Sequence, residues 1–240
     1  MTQLEGRVMV RRALKPLPGQ ARLDWRILCD IASALGRGRY FQYGSAEDIF
    51  NELRLASKGG LADYYGITYD ELEKRKGIFW PCPEEGHPGT PRMFEHSFAH
   101  PDGRARLAAI EHQNPKEVPS RRYPLTLTTG RVLQHYLSGV QTRSTPELNS
   151  KYPEPLLEIH PDTAIENGLV NGGYARVSSK RGSIRLKVKF SAKIRRDTVF
   201  VPFHWGEEQC INRLTNPALD PACRMPEFKA CAVRVEPMRA

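Results

Sequence analysis

Hydrophobic positions change their spacing partway along the chain, and the change divides it in two. Between Asp24 and Gly36 they recur at helical intervals: Trp25, Leu28, Ile31, Ala32 and Leu35 fall on one face, with Asp24 placed to cap and Gly36 to close. A second helix is predicted from Ser45, with Asp48 three residues on, Ile49, Leu53 and Ala56 as its apolar positions, and Gly59 and Gly60 as its stop. A third, short one starts at Thr68, takes Glu71 as the other half of a capping box and ends by Gly77. Residues 1–20 read as an exposed arm, because "KPLPG" is turn chemistry and Arg11 and Arg12 prefer water.

From residue 78 the prolines take over. "FWPCPEEGHPGTPRMF" is neither helix nor central strand, since each proline lacks an amide donor; its interleaved aromatics predict an ordered, extended segment. "AHPDGRARLAAI" reads as a turn followed by a strand, and "QNPKEVPS" as a linker, which puts the main boundary near residue 120.

Beyond it the pattern is that of strands. "YPLTLTT", "LLEIHP", "YARVSS", "SIRLKVKF", "TVFVPFHW" and "ACAVRV" alternate or cluster β-formers between turn signals. "KRGS" predicts a hairpin and Asn171–Gly173 a tight turn. Pro161 and Asp162 open a short helix that Asn167 and Gly168 close. Many short strands with frequent turns indicate a barrel or sandwich. The expected class is therefore α+β: a helical and irregular segment over 1–120, then a β-domain over 121–240.

Charge sharpens the division. The formal net charge of +9 sits almost wholly in residues 121–240, which hold 19 basic against 11 acidic residues. An anionic partner is expected to meet that half. A phosphorylated cofactor and a nucleic acid both qualify, but "SIRLKVKF" spaces Arg185, Lys187 and Lys189 by two with no aromatic alternation, as an ordinary solvent-facing strand does. Nucleic acid is thus disfavoured. No run is apolar enough to span a bilayer, and the first residues lack the apolar core of a signal peptide, so a cytoplasmic location is expected. The five cysteines form no CxxC pair and read as reduced, structural thiols. His87, His96, His100 and His112 have no metal-ligand spacing, and Glu84–Glu85 and Glu207–Glu208 read as solvated charge. No metal site and no catalytic side chain are expected. His204, at a strand end beside Trp205, reads as a core histidine whose ring nitrogens are satisfied.

One stretch is richer in chemistry. After the strand "YPLTLTT", Thr128 and Thr129 offer hydroxyls, Gly130 lets a ligand near the backbone, and Arg131 offers a planar fork for a phosphate or a purine edge. Gln134 and His135 can pair with a heterocycle.

The order "LTTGRVLQHYLSGVQTR", then "EIHPDTAIENGLVNGGYARVSSKRGSIRLKVKFSAKIRRDTVFVPFHW", "NRLTNPALDP" and "PEFKACAVRV" resembles the C-terminal domain of the molybdopterin-dinucleotide oxidoreductases. Nitrate reductases and formate dehydrogenases belong to that family. "EGRV", "GQARLDW", "FWPCPEEGHPGTPRMF" and "PDGRARL" look like the segment before that domain. The resemblance implies a double-psi-type β-barrel that holds the dinucleotide part of a bis-molybdopterin guanine dinucleotide cofactor carrying molybdenum. Carried over by position, Thr129, Gly130 and Arg131 would hold the phosphate or ribose region, with Thr128 alongside. His135, Ser138 and Gly139 would meet the pterin side, Asn212 and Lys229 would reach in from the last loops, and Phe228 would shape the pocket.

"HYLSGVQTR" resembles the assimilatory nitrate reductases, although Leu137 and Gln141 stand where many relatives have a second histidine and a methionine. A formate dehydrogenase is the alternative, through "PEFKACAVRV". The family's iron–sulfur cysteine motif and its catalytic front have no counterpart here, so the resemblance implies partial cofactor binding, no iron–sulfur cluster in this chain and no catalysis by it alone. A separate N-terminal catalytic polypeptide would complete the enzyme; otherwise the chain is a truncated product or an inactive relic. A stand-alone barrel binding nucleic acid or a protein is the reading from another class.

Overall fold

The computed structural model describes residues 1–238. It divides into two compact units, residues 1–109 and the described residues from 110 onward.

The first unit contains helices α1 (Asp24–Ala34), α2 (Ala46–Ser57) and α3 (Tyr69–Arg75), and an antiparallel pair of strands, β1 (Arg7–Val8) and β2 (Ile78–Phe79). The capping box predicted at Ser45 is complete, with Ser45 and Asp48 exchanging side-chain and backbone bonds. Thr68 caps α3 by accepting from the Glu71 amide, and the left-handed Lys76 precedes Gly77. Asp24 does not cap α1; it is the first helical residue, after an extended Leu23 that brings no side-chain acceptor. The arm is not wholly free, since Val8 sits in a small core with Ile67, Leu72, Ile78 and Cys82.

The apolar stripe of α1 is real but uncovered. Ala32 alone is buried, while Leu28, Ile31 and Leu35 are 60%, 51% and 73% exposed. Helical periodicity specifies which face is apolar but not what packs on it. The strand expected after "PDGR" does not form either; residues 104–114 find no ladder partner, and Leu107 and Ile110 are exposed.

The second unit is the expected closed barrel of double-psi type. Its strands are β3 (Leu125–Gly130), β4 (Leu156–Ile159), β5 (Tyr174–Ser178), β6 (Ser183–Phe190), β7 (Thr198–Pro202) and β8 (Cys231–Pro237), in the order β3-β7-β4-β6-β5-β8 and back to β3. β3–β7 and β4–β6 are parallel; the other four pairings are antiparallel. Short helices α4 (Val140–Arg143), α5 (Pro146–Lys151) and α6 (Pro161–Glu166) fill the connections. In α6 Pro161 takes the first turn, and Asn167 and a left-handed Gly168 end it.

Alternation explains why the barrel closes. Ile184, Leu186 and Val188 of β6 point inward with Leu127, Leu157, Ile159, Val177, Val199 and Val233. Each such side chain contributes about 1.5–3 kcal/mol by leaving water. The intervening cations of β6 are each engaged: Lys187 pairs with Glu154, Lys189 with Glu158, and Arg185 lies over the Tyr174 ring. All five cysteines are unbonded thiols, and burial pushes Cys231 up to about 11.

The stretch expected to be a linker is pinned to the barrel. Glu117 meets Arg181 of the β5–β6 hairpin with both carboxylate oxygens, and its side chain is 9% exposed.

Candidate functional site

The C-terminal end of β3 and the loops after β7 meet around a hollow of about 440 Å³, lined by Thr129, Phe203, Asn212, Thr215, Asn216, Pro217, Pro226 and Phe228. Three expected residues line it, Thr129, Asn212 and Phe228, although 99 positions separate the first from the last. Thr129 is buried, and its hydroxyl donates to the Phe228 carbonyl at 2.9 Å. Lys229 returns the connection, its ammonium donating to the Thr129 carbonyl at 2.7 Å while lying 5.3 Å from the Phe228 ring centre. Arg131 is exposed, with its guanidinium 5.7 Å from the ring centre of Phe203 in the same wall. Asn212 stands exposed on a 3-10 turn, Ile211–Arg213, whose flanks Ile211 and Leu214 are locked in the barrel core.

A second cluster stands next to the first, joined through consecutive residues Phe203, His204 and Trp205. His204 has no exposed surface. Its Nε2 accepts the Val132 amide at 2.9 Å and its Nδ1 donates to the Leu137 carbonyl at 2.6 Å. One ring therefore holds both ends of the loop that follows Arg131. Burial pushes its pKa below the usual histidine value, the Leu137 carbonyl opposes, and His135, Arg131 and Arg143 lower it further. The neutral Nδ1–H tautomer fits both bonds.

His135, expected on the pterin side, is buried against Trp205, with Nε2 donating to the Tyr152 carbonyl at 2.7 Å and Nδ1 3.1 Å from the Thr142 hydroxyl. Ser138 is exposed, and its carbonyl accepts from Arg143. Gly139 is left-handed at φ 74° and packs where a Cβ would press on Arg143 and the His204 carbonyl. At Gly130 a Cβ would lie 2.5 Å from the Phe200 ring of β7, so the glycine also makes room for a neighbouring strand. Thr128 alternates with Thr129 and takes the opposite face of β3, away from the hollow.

Phe203, Thr215, Asn216, Pro217 and Pro226 were not anticipated. Asn216 carried a usable signal, an asparagine before proline: it is buried, its Oδ1 accepts the Ala218 amide and its Nδ2 donates to Glu227 at 2.6 Å.

The chemistry of this wall is consistent: two aromatic faces, two side-chain amides, two hydroxyls and two cations converge at one barrel end. Flat heterocycles bearing phosphate suit such a set. Among the described residues, no group of three or more His, Cys, Asp or Glu side chains is placed to hold a metal ion, and no helix is long and apolar enough to cross a membrane.

Comparison with known proteins gives the hollow a context. Residues 125–232 match the family described as "Molydopterin dinucleotide binding domain". The chain is 56% identical over 240 residues to the assimilatory nitrate reductase catalytic subunit of Bacillus subtilis, covering 99% of this chain and 34% of that protein. It is 42% identical to the F420-dependent formate dehydrogenase subunit alpha of Methanocaldococcus jannaschii, covering 98% and 34%, and 33% identical to the periplasmic nitrate reductase of Desulfovibrio desulfuricans, covering 95% and 32%. The chain thus spans about a third of the length of these curated relatives. Acetylene hydratase from Pelobacter acetylenicus shares the fold, with a TM-score of 0.69 at 16% identity over 92% of this chain and 33% of that one.

Proposed function

We propose, from the premise that residues 125–232 match the molydopterin dinucleotide binding domain family, that this chain holds the nucleotide end of a bis-molybdopterin guanine dinucleotide cofactor within a nitrate reductase. The observation that carries this reading is the single hollow in which Thr129, Asn212 and Phe228 converge, with Lys229 bonded to Thr129 and Arg131 over Phe203. The residues fit the group. Phe203 and Phe228 offer faces to a flat base, Asn212 and Thr215 can pair with its edge, and Lys229 and Arg131 bring positive charge to a diphosphate. When bound, the cofactor supplies the molybdenum redox chemistry; the chain binds and orients it.

We also propose a companion polypeptide that meets this chain at its exposed apolar surfaces. Two features support such a companion: the uncovered stripe of α1, and the exposed Leu133, Tyr136 and Val140 on the loop and helix beside the hollow. The greater likeness to the nitrate reductase subunit supports nitrate over formate as the substrate of the assembled enzyme. The cytoplasm is the expected compartment.

Guanosine diphosphate is a direct probe of the hollow. Titrated calorimetrically into the chain, it should bind, and Lys229→Ala should weaken it about tenfold or more, the effect of removing one charge-assisted hydrogen bond. Asn212→Ala should weaken it less and erode the preference for guanosine over adenosine diphosphate. Equal affinity in the parent and Lys229→Ala proteins would move the nucleotide site elsewhere. Co-expression with a polypeptide that supplies the part of the relatives lying outside residues 1–240 should give material containing molybdenum; metal-free protein would count against such a companion.

A further inference from the structure

The hollow is built from two loops, residues 211–217 and 226–229, joined directly through Asn216 and Glu227 and, one residue beyond, by the Glu227 amide on the Ala218 carbonyl. A further tie between them runs through a pair of residues outside the hollow. Arg181, on the β5–β6 hairpin, donates twice to the Leu214 carbonyl, from Nε at 3.0 Å and Nη2 at 2.7 Å. Its other face grips Glu117, Nη1 to Oε2 at 2.6 Å and Nη2 to Oε1 at 2.9 Å. Glu117 Oε1 also accepts the Ala232 amide at 2.8 Å, three residues after Lys229. One carboxylate and one guanidinium thus hold the backbone just before Thr215 and just after Lys229.

The neighbouring residue adds a parallel tie. The Lys116 amide donates to both oxygens of Glu227, at 3.1 and 3.0 Å, and Glu227 accepts from the Asn216 side chain. Residues 116 and 117 therefore reach both loops along two routes. A surface ion pair would be worth little, but this one is bidentate and largely withdrawn from water. Arg181 keeps the Glu117 carboxyl below its usual range, burial opposes, and the Ala232 amide lowers it further, so Glu117 is ionised at neutral pH.

We infer that Glu117 and Arg181 are positioning residues of the nucleotide hollow: the segment preceding the barrel is a clip that sets the distance between the loop bearing Asn212 and the loop bearing Phe228 and Lys229. This deepens the reading of the hollow as a dinucleotide site and rests on it. Neither residue lines the hollow, so each acts through backbone placement alone.

The test separates the clip from the ligand. Amide hydrogen exchange is measured on the full chain without ligand, for the parent, Glu117→Ala, Arg181→Met, the double variant and the conservative Glu117→Gln, which can still accept the Ala232 amide. Glu117→Ala and Arg181→Met should speed exchange about tenfold or more at residues 212–215 and 228–232, the change expected when a local tie opens, while β6 stays protected. The double variant should be no worse than either single variant, and Glu117→Gln should fall between them and the parent. Guanosine diphosphate affinity should fall in the same order. Unchanged exchange at both loops, or uniform loss of protection across the barrel, overturns the clip. If the parent binds no guanosine diphosphate, the dinucleotide reading fails and the exchange result alone decides the clip. Loosened loops with undiminished nucleotide affinity would show that the clip does not serve the hollow.

Discussion

His204→Ala should destabilise the barrel by about 3–5 kcal/mol, combining a cavity with two buried backbone groups left unpaired. The imidazole has no exposed surface and bonds the Val132 amide and the Leu137 carbonyl, while Phe203, His135 and Trp205 surround it. His204→Phe fills the space without restoring either bond, so the difference between the two variants divides the loss into cavity and hydrogen-bond parts. Chemical denaturation measures both. A loss under about 1 kcal/mol for His204→Ala would mean that water replaces the ring without strain.

The same residue predicts a pH dependence. Its folded pKa lies below the unfolded value of 6.5. The folded chain thus favours the neutral ring, and the associated stability is present above pH 6.5 and declines as pH falls from there towards the folded pKa. Protonation would remove the acceptor used by Val132. Unfolding free energies measured from pH 8 to pH 5 should fall in the parent, and His204→Phe should lack that part of the slope.

Gly66→Ala should be the most damaging single-methyl change in the first unit, costing more than about 3 kcal/mol because the atoms in the way cannot rotate aside. A Cβ at Gly66 would overlap the Glu84 carbonyl oxygen and lie 2.8 Å from that of Cys82. The Gly66 amide also donates to the Cys82 carbonyl at 2.7 Å, so the two segments cannot separate without losing that bond. Ile67 and Cys82, both fully buried, would move apart with them. Amide exchange at Ile67, Ile78 and Cys82 should lose protection; full protection there would show that the backbone around Glu84 yields at little cost.

Local chemistry explains what the amino-acid order made legible. The barrel strands stood out because β-formers alternate, as in β6, or cluster, as in β8, between turn signals, and the helix at Pro161 because its start and stop residues are local. Which strands pair could not be read this way, since β3 meets both β7 and β8 across spacings that no local pattern encodes. The site divided along the same line. Thr129, Asn212, Phe228 and Lys229 were nameable through family resemblance, but Phe203 looked like an ordinary strand end and became a wall only through the turn after β7. Glu117 was hidden most completely. Its neighbours are loop formers, and nothing local marks the arginine 64 positions later that binds it.

The ring order of the barrel has a consequence for biosynthesis. β8 is the strand that bridges β3 and β5, and it is the last to be made. While a ribosome is still adding residues before Cys231, two strand margins have unpaired backbone groups and the ring cannot shut. For that interval of translation the nascent polypeptide carries an open seam, exposed to mispairing with another chain, and a chaperone that shields it should raise the yield of native protein.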